Sequence, residues 1–226
     1  MAKTILVVAA HPDDEILGCG GTIARHLAEG DNVHIVFMAD GVSSRGICPN
    51  SAEHQERNHA AYQASQAFGI TPPLTFLGFP DNRMDTIALL DITQALEKVI
   101  KTIQPEIIYT HHFGDLNIDH QIVHKAVMTA CRPQGDYSVK TILCFEIPSS
   151  TEWQAPNSGQ AFEPTWFVDI SDTLEIKMKA LQAYHEEMRE WPHPRSYENV
   201  EMLAKNRGAV VGKKAAEGFM LMRGVI

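Results

Sequence analysis

"TILVVAAHPDDEILGCGG", residues 4–21, decides how this chain is read. Thr4 to Ala10 form a continuous apolar run, the pattern of a strand covered on both faces. The run stops at His11. A proline, three consecutive acids (Asp13, Asp14, Glu15) and a glycine-rich helix start follow it. Carboxylates crowded at the end of an apolar strand repel one another, so something must hold them there.

Working outward, strands and helices alternate. A helix is expected from about residue 16 to 29, stopped by Gly30, and "NVHIVFMA" (32–39) reads as a second strand. Residues 51–69 have helical spacing, with Ser51 as N-cap and Gly69 as stop. "LTFLGF" (74–79) is a third strand, and Ile92, Leu96, Val99 and Ile103 share one helical face. "EIIYTH" (106–111) is a fourth strand, a helix runs from near Asp119 to about Cys131, and "VKTILCFE" (139–146) is a fifth strand. This order predicts an α/β fold, a mostly parallel sheet with helices on both faces. The last third is less regular. Residues 149–165 read as a long loop, a candidate substrate lid. A strand near 165–170, a helix over 171–191 capped by Ser171, a break at "WPHPRSY", a last helix and a short strand near Phe219 complete the chain. With 226 residues, 44% of them hydrophobic, one domain spanning 1–226 is expected.

A net charge of −9 argues against a nucleic-acid partner. Four scattered cysteines, none in a CxxC pair, suit reduced thiols and a cytoplasmic location. The first apolar run is short and ends in acids, unlike a signal peptide. No stretch approaches the roughly 18 apolar residues of a membrane span. A homo-oligomer is compatible with the sequence.

Ligands of open parallel sheets bind beyond the carboxyl ends of the strands. His11 to Glu15 lie there for the first strand. "THHFGDLNIDHQIVH" (110–124) follows the fourth strand and holds His111, His112, Asp115, Asp119, His120 and His124. If the two clusters meet, imidazoles and carboxylates together suit a divalent metal that offsets the repulsion between the acids. Zinc fits best, iron or nickel are alternatives, and magnesium fits less well. Three protein ligands and an open position would make the site catalytic. The competing reading is a solvated acidic run at a helix N-terminus.

"AHPDDEILGCGG" with "NIDHQIV" resembles the PIG-L/LmbE-like zinc-dependent de-N-acetylases, and so do "ADG" at 39–41, the helix of Arg57, "LGFPDNR" at 77–83 and the C-terminal "AAEGFMLMR". The resemblance implies a Rossmann-like fold and hydrolysis of the N-acetyl group of an N-acetylhexosamine, releasing acetate and a free amino sugar. It implies one Zn²⁺ held by His11, Asp14 and His120, with Asp13 as general base. Many members carry a histidine where this chain has Asn117, and an amide side chain transfers no proton at neutral pH. Asp13 acting twice, His111 or His112, or His185 or His193 are the alternatives for the proton donor, with His112 placed first and Asn117 kept as a hydrogen-bonding residue. Asp119 is expected to orient an imidazole. Beyond the second motif, His124 is read as a surface histidine in preference to a ligand. Arg57 is either a substrate contact or a helix-surface residue, and Asp81 and Arg83 either a turn ion pair or part of the sugar pocket. Trp153 and Trp166 are candidates for sugar stacking, a lid or the core. Two other functions compete: a non-catalytic metal- or sugar-binding homologue, and a nucleotide-binding oxidoreductase built on "GCGGT", which lacks the GxGxxG spacing.

Overall fold

A computed structural model describes residues 2–46, 52–69, 71–134, 139–155 and 160–225. The chain order is β1 (Thr4–Ala9), α1 (Asp14–Ala28), β2 (Asn32–Ala39), α2 (Ala52–Gln66), β3 (Leu74–Phe79), α3 (Leu89–Ile103), β4 (Ile107–His111), α4 (Ile118–Ala130), β5 (Thr141–Phe145), β6 (Trp166–Asp169), α5 (Leu174–Leu181), α6 (Tyr197–Val210) and β7 (Ala216–Gly224). The expected cap Ser51 lies outside the described residues.

The sheet order is β3-β2-β1-β4-β5-β7-β6. The first five strands pair in parallel, and β7 runs antiparallel between β5 and β6. The mostly parallel α/β fold expected from the sequence is therefore present. The alternation along β1 shows why its run is wholly apolar. Ile5, Val7 and Ala9 join the core beneath α1, α2 and α5, whereas Leu6, Val8 and Ala10 join the one beneath α3 and α4. A strand buried on both faces needs an apolar residue at every position.

The chain goes from β1 outward to β3, then returns to place β4 on the other side of β1. The sheet's switch point is thus between β1 and β4, where such folds form their crevice. The segments after these two strands, from His11 and from His111, open at that point.

The glycines of "GCGG" serve packing. A Cβ on Gly18 would come within 2.4 Å of the Phe145 ring, and one on Gly21 within 2.7 Å of Ile170. They let α1 approach the sheet closely and form no phosphate loop, so the oxidoreductase reading loses its motif. Helix α1 is broken at Cys19 (φ −148°, ψ 24°). A buried ion pair spans the break: Glu217 accepts from the amides of Gly21 (3.0 Å) and Thr22 (2.7 Å), while Lys177 donates to Leu17 O (2.9 Å) and to Glu217 (2.6 Å).

Two sequence expectations fail in the last third. The helix expected over 171–191 stops at Leu181 and tightens into a 3-10 turn, Gln182–Glu187. The tightening turns Tyr184 and Glu187 inward, where buried polar partners hold them. Ser171 is not its cap: the Ser171 amide and hydroxyl both donate to Asp169 Oδ1 (3.0 and 2.5 Å), and Leu174 begins the helix. Among the described residues no helix is long and apolar enough to cross a membrane.

Candidate active site

The two clusters meet. His11, Asp14 and His120 each direct one ligand atom to a common point, all within 4.8 Å of one another. Asp14 Oδ2 lies 3.3 Å from His11 Nδ1 and 3.4 Å from His120 Nε2. All three side chains are buried. Asp14 Oδ1 and His120 Nε2 have no hydrogen-bond partner, which is costly for buried polar atoms unless a cation faces them. This donor set of two imidazoles and one carboxylate therefore fits a metal ion, with zinc the best match.

The outer nitrogens show how the imidazoles are held. His11 Nε2 lies 3.1 Å from both Asp119 Oδ2 and Asp81 Oδ1. A nitrogen between two carboxylates carries the proton, which leaves Nδ1 as the ligand atom. Asp119 is fixed in turn, accepting from the amides of Asn82 (2.6 Å) and Met84 (3.1 Å). Asp115 stands behind His120, its Oδ1 3.1 Å from Nδ1. It also accepts from the Ser150 and Thr151 hydroxyls and from the Asn117 amide. Asp115 is in the motif segment, but its role is invisible there, because its partners come from the loop after β5.

Electrostatics follow from burial and pairing. Burial alone would lower the His120 pKa, yet the charges of Asp14 and Asp115 raise it to about 9. For His11 burial is likewise outweighed, by hydrogen bonds to the carboxylates of Asp119, Asp14 and Asp81, and the pKa rises. Burial opposes ionisation of Asp14, but the charges of His120 and His111 hold it well below the usual range. The metal-free cluster thus keeps its acid charged and its imidazoles protonated, a state a cation would replace by displacing protons.

Asp13 sits beside the triad in a strained backbone conformation, φ 126°. Its amide donates to Glu15 Oε2 (2.9 Å), and Tyr184 OH donates to the other Glu15 oxygen (2.6 Å). Burial pushes the Glu15 pKa up to about 8. Asp13 Oδ2 takes contacts from Arg57 (3.1 Å) and Arg195 (2.9 Å). Burial raises the Asp13 pKa, with Arg195 and then Arg57 opposing. Strained residues of this kind gather at functional sites.

Other expected site residues fall elsewhere. Arg57 is buried and clamps Asp13 and Glu187 (2.7 Å), so it is not a free surface arginine. Arg83 is exposed and forms no ion pair with Asp81 among the described residues, because Asp81 turns inward to His11 and to the Ser44 hydroxyl. His112 is not brought to the triad. Its Nε2 donates to Gln160 O (2.8 Å), its ring packs on Phe113 and Phe162, and burial lowers its pKa. A neutral imidazole anchored this way is poorly suited to donate a proton to substrate. Asn117 caps α4, its Oδ1 accepting from the Asp119 amide (2.8 Å). His124 is no surface residue: it is buried and donates from Nδ1 to His111 O (3.0 Å). His111 stacks on His120 at 3.9 Å and accepts from the Ala10 amide (2.8 Å). Trp153 and Trp166 are exposed at 51% and 45%, which rules out a core role, and Trp153 stands edge-on to His193. The loop after β5 begins as a fixed element, since Ser150 and Thr151 are buried against Asp115. Tyr184, Glu187 and Arg195 were not singled out from the sequence. Their segment was read for a helix, its breaker and the candidate proton donors His185 and His193.

Comparisons with known proteins place the chain in a family. The family described as PIG-L, GlcNAc-PI de-N-acetylase, matches residues 6–131, and the chain belongs to it. It is 31% identical over 189 residues to the uncharacterized deacetylase YaiS of Escherichia coli K12, covering 80% of this chain and 90% of that protein. It is 24% identical to a diacetylchitobiose deacetylase of Thermococcus kodakarensis, covering 99% of this chain and 84% of the relative. The structure of GalB, the 4-carboxy-2-hydroxymuconate hydratase of Pseudomonas putida KT2440, matches with a TM-score of 0.74 at 23% identity, covering 99% and 98% of the two chains. The fold alone thus does not select hydrolysis, and the site must carry the functional argument.

Proposed function

We propose that this protein is a zinc-dependent de-N-acetylase that hydrolyses the acetamide of an N-acetylated amino sugar to acetate and a free amine. The observation that carries the reading is the buried triad His11, Asp14 and His120, in which Asp14 Oδ1 and His120 Nε2 have no hydrogen-bond partner, with a separate carboxylate, Asp13, beside it. Two adjacent acids then have distinct tasks, one on the metal and one in proton transfer. The family description and the chitobiose-deacetylating relative support an acetylated amino sugar as substrate.

His11 Nδ1, an Asp14 oxygen and His120 Nε2 would hold the ion. Zinc in such a three-ligand site lowers the pKa of water to about 7 and polarises a carbonyl. Asp13 accepts a proton from the attacking water through Oδ1, the oxygen that takes no hydrogen bond from the described residues. It then returns the proton to the amine as the C–N bond breaks, since Asn117 transfers none and His112 is engaged on Gln160. Asp119 and Asp115 keep the two imidazoles oriented throughout.

The test combines metal analysis with acetate release from a panel of N-acetylglucosamine derivatives. Purified protein should hold about one zinc per chain and release acetate from at least one derivative, and EDTA should abolish that release. Metal-loaded protein that hydrolyses no acetamide in the panel would overturn the reading.

A further inference from the structure

The segment between α5 and α6 reaches the base through one side chain. We infer that Arg195 is a positioning residue for Asp13, so that the active site is completed by a part of the chain beyond residue 131, where the family match ends. The inference rests on Asp13 acting as the base.

Asp13 cannot settle its own orientation. A residue with a Cβ at φ 126° is strained, and such a conformation persists only where neighbours over-determine it. Its amide is held by Glu15, and its carboxylate by two guanidinium groups on the same oxygen, Oδ2. Two donors on one oxygen stop rotation about the Cβ–Cγ bond, and the other oxygen is left for the water. Arg57 is shared with Glu187 at 2.7 Å and lies over the Tyr184 ring. Arg195 gives the shorter contact, at 2.9 Å.

Arg195 is itself fixed. Its Nε donates to Ser149 Oγ (2.8 Å) and more weakly to Pro148 O (3.4 Å), and its amide donates to His193 Nδ1 (3.0 Å). Ser149 is a second strained position, φ 69°, and the amides of Ser149 and Ser150 are tied to Glu152. The next two hydroxyls, Ser150 and Thr151, hold Asp115 behind His120. The loop after β5 thus braces a metal ligand through Asp115 and the base through Arg195. Its two tasks set the distance between them. A misplacement of about 1 Å at a reacting group can cost about 10²-fold in rate.

The test is Arg195→Met and Arg195→Lys in zinc-loaded protein. For Arg195→Met we expect kcat to fall about 10²-fold, with KM within threefold of wild type and zinc content unchanged. Added guanidinium ion should recover part of kcat. Arg195→Lys should lose about tenfold, because an ammonium can approach Oδ2 but cannot also reach Ser149 as a fork does. A kcat within threefold of wild type in Arg195→Met, a loss expressed in KM, or a loss that tracks missing zinc would each overturn the inference. Should Arg195→Met not fold, Arg195→Lys decides by the same criteria. Failure of wild type to release acetate from any acetamide refutes the deacetylase reading, not this one. Arg195 would then be judged by crystal structures of zinc-loaded wild type and Arg195→Met. A rotated Asp13 carboxylate in the variant supports positioning, and an unmoved one refutes it.

Discussion

Removing one member of the ion pair that bridges the break in α1 should be far more damaging than removing a surface ion pair. In Lys177→Met, Glu217 keeps its two amide donors but loses the ammonium at 2.6 Å, and the Leu17 carbonyl loses its donor at 2.9 Å. Both partner residues are buried, at 3% and 5% exposure, so water cannot replace what is lost. Breaking a buried pair from one side costs about 3–5 kcal/mol. The surviving amide contacts to Glu217 place Lys177→Met near the lower end, at about 3 kcal/mol. A domain of this length loses about 2–4 °C per kcal/mol, so the melting temperature should fall by about 6–12 °C. Glu217→Leu should cost about 5 kcal/mol, because it strands the ammonium and the amides of Gly21 and Thr22 together. The double variant Lys177→Met/Glu217→Gln removes both charges while keeping a carbonyl for the amides, and should be at least about 1 kcal/mol less destabilised than the sum of its single variants. Urea unfolding monitored by circular dichroism measures wild type, Lys177→Met, Glu217→Leu, Glu217→Gln and the double variant. A loss below about 1 kcal/mol in Lys177→Met, or strict additivity in the double variant, would refute the account of the helix break.

The site yields further expectations. Asp14→Ala should bind zinc weakly, whereas Asp13→Ala should keep its zinc and lose turnover. Metal analysis beside acetate release separates the two, and near-normal activity in Asp13→Ala would remove it as the base. Asp115→Ala should weaken zinc binding about 10–100-fold by freeing the His120 ring, as read by competition with a chromogenic chelator. His112→Ala should leave the pH–rate profile unchanged, since its nitrogen is committed to Gln160; a flattened alkaline limb would restore it as the acid. In metal-free protein the His120 pKa is raised to about 9 from 6.5, so its contribution to stability is full below pH 6.5 and is lost as pH rises through 9. At 1.36 kcal/mol per unit this amounts to up to about 3 kcal/mol. Melting of EDTA-treated protein at pH 6.5 and 9.5 should show the fall, and zinc-loaded protein should not, because a metal-bound imidazole stays neutral and gains no second proton in this range.

Much of the sheet was legible because burial on both faces writes itself into consecutive residues. β1, β2 and β3 need no distant partner to be recognised, and their bounds in the structure match or nearly match the apolar runs. The meeting of the two motif segments was left open by the sequence, and the strand order decides it by placing the ends of β1 and β4 side by side. What failed was local pattern under tertiary load. Residues 182–187 have helical spacing, yet Tyr184 and Glu187 are drawn to Glu15 and Arg57, and the helix tightens there. Ser171 has the chemistry of a cap but finds Asp169 closer.

From residues alone came the donor types, their place after two strands and the presence of two acids where one would bind metal. Which nitrogen of His11 is free, which carboxylate stands behind His120 and what holds Asp13 are decided by partners up to 182 residues away. Hydrophobic periodicity is a property of neighbouring positions and survives in one dimension. Hydrogen bonds to buried charges depend on distance and direction in space, and only the folded chain supplies those.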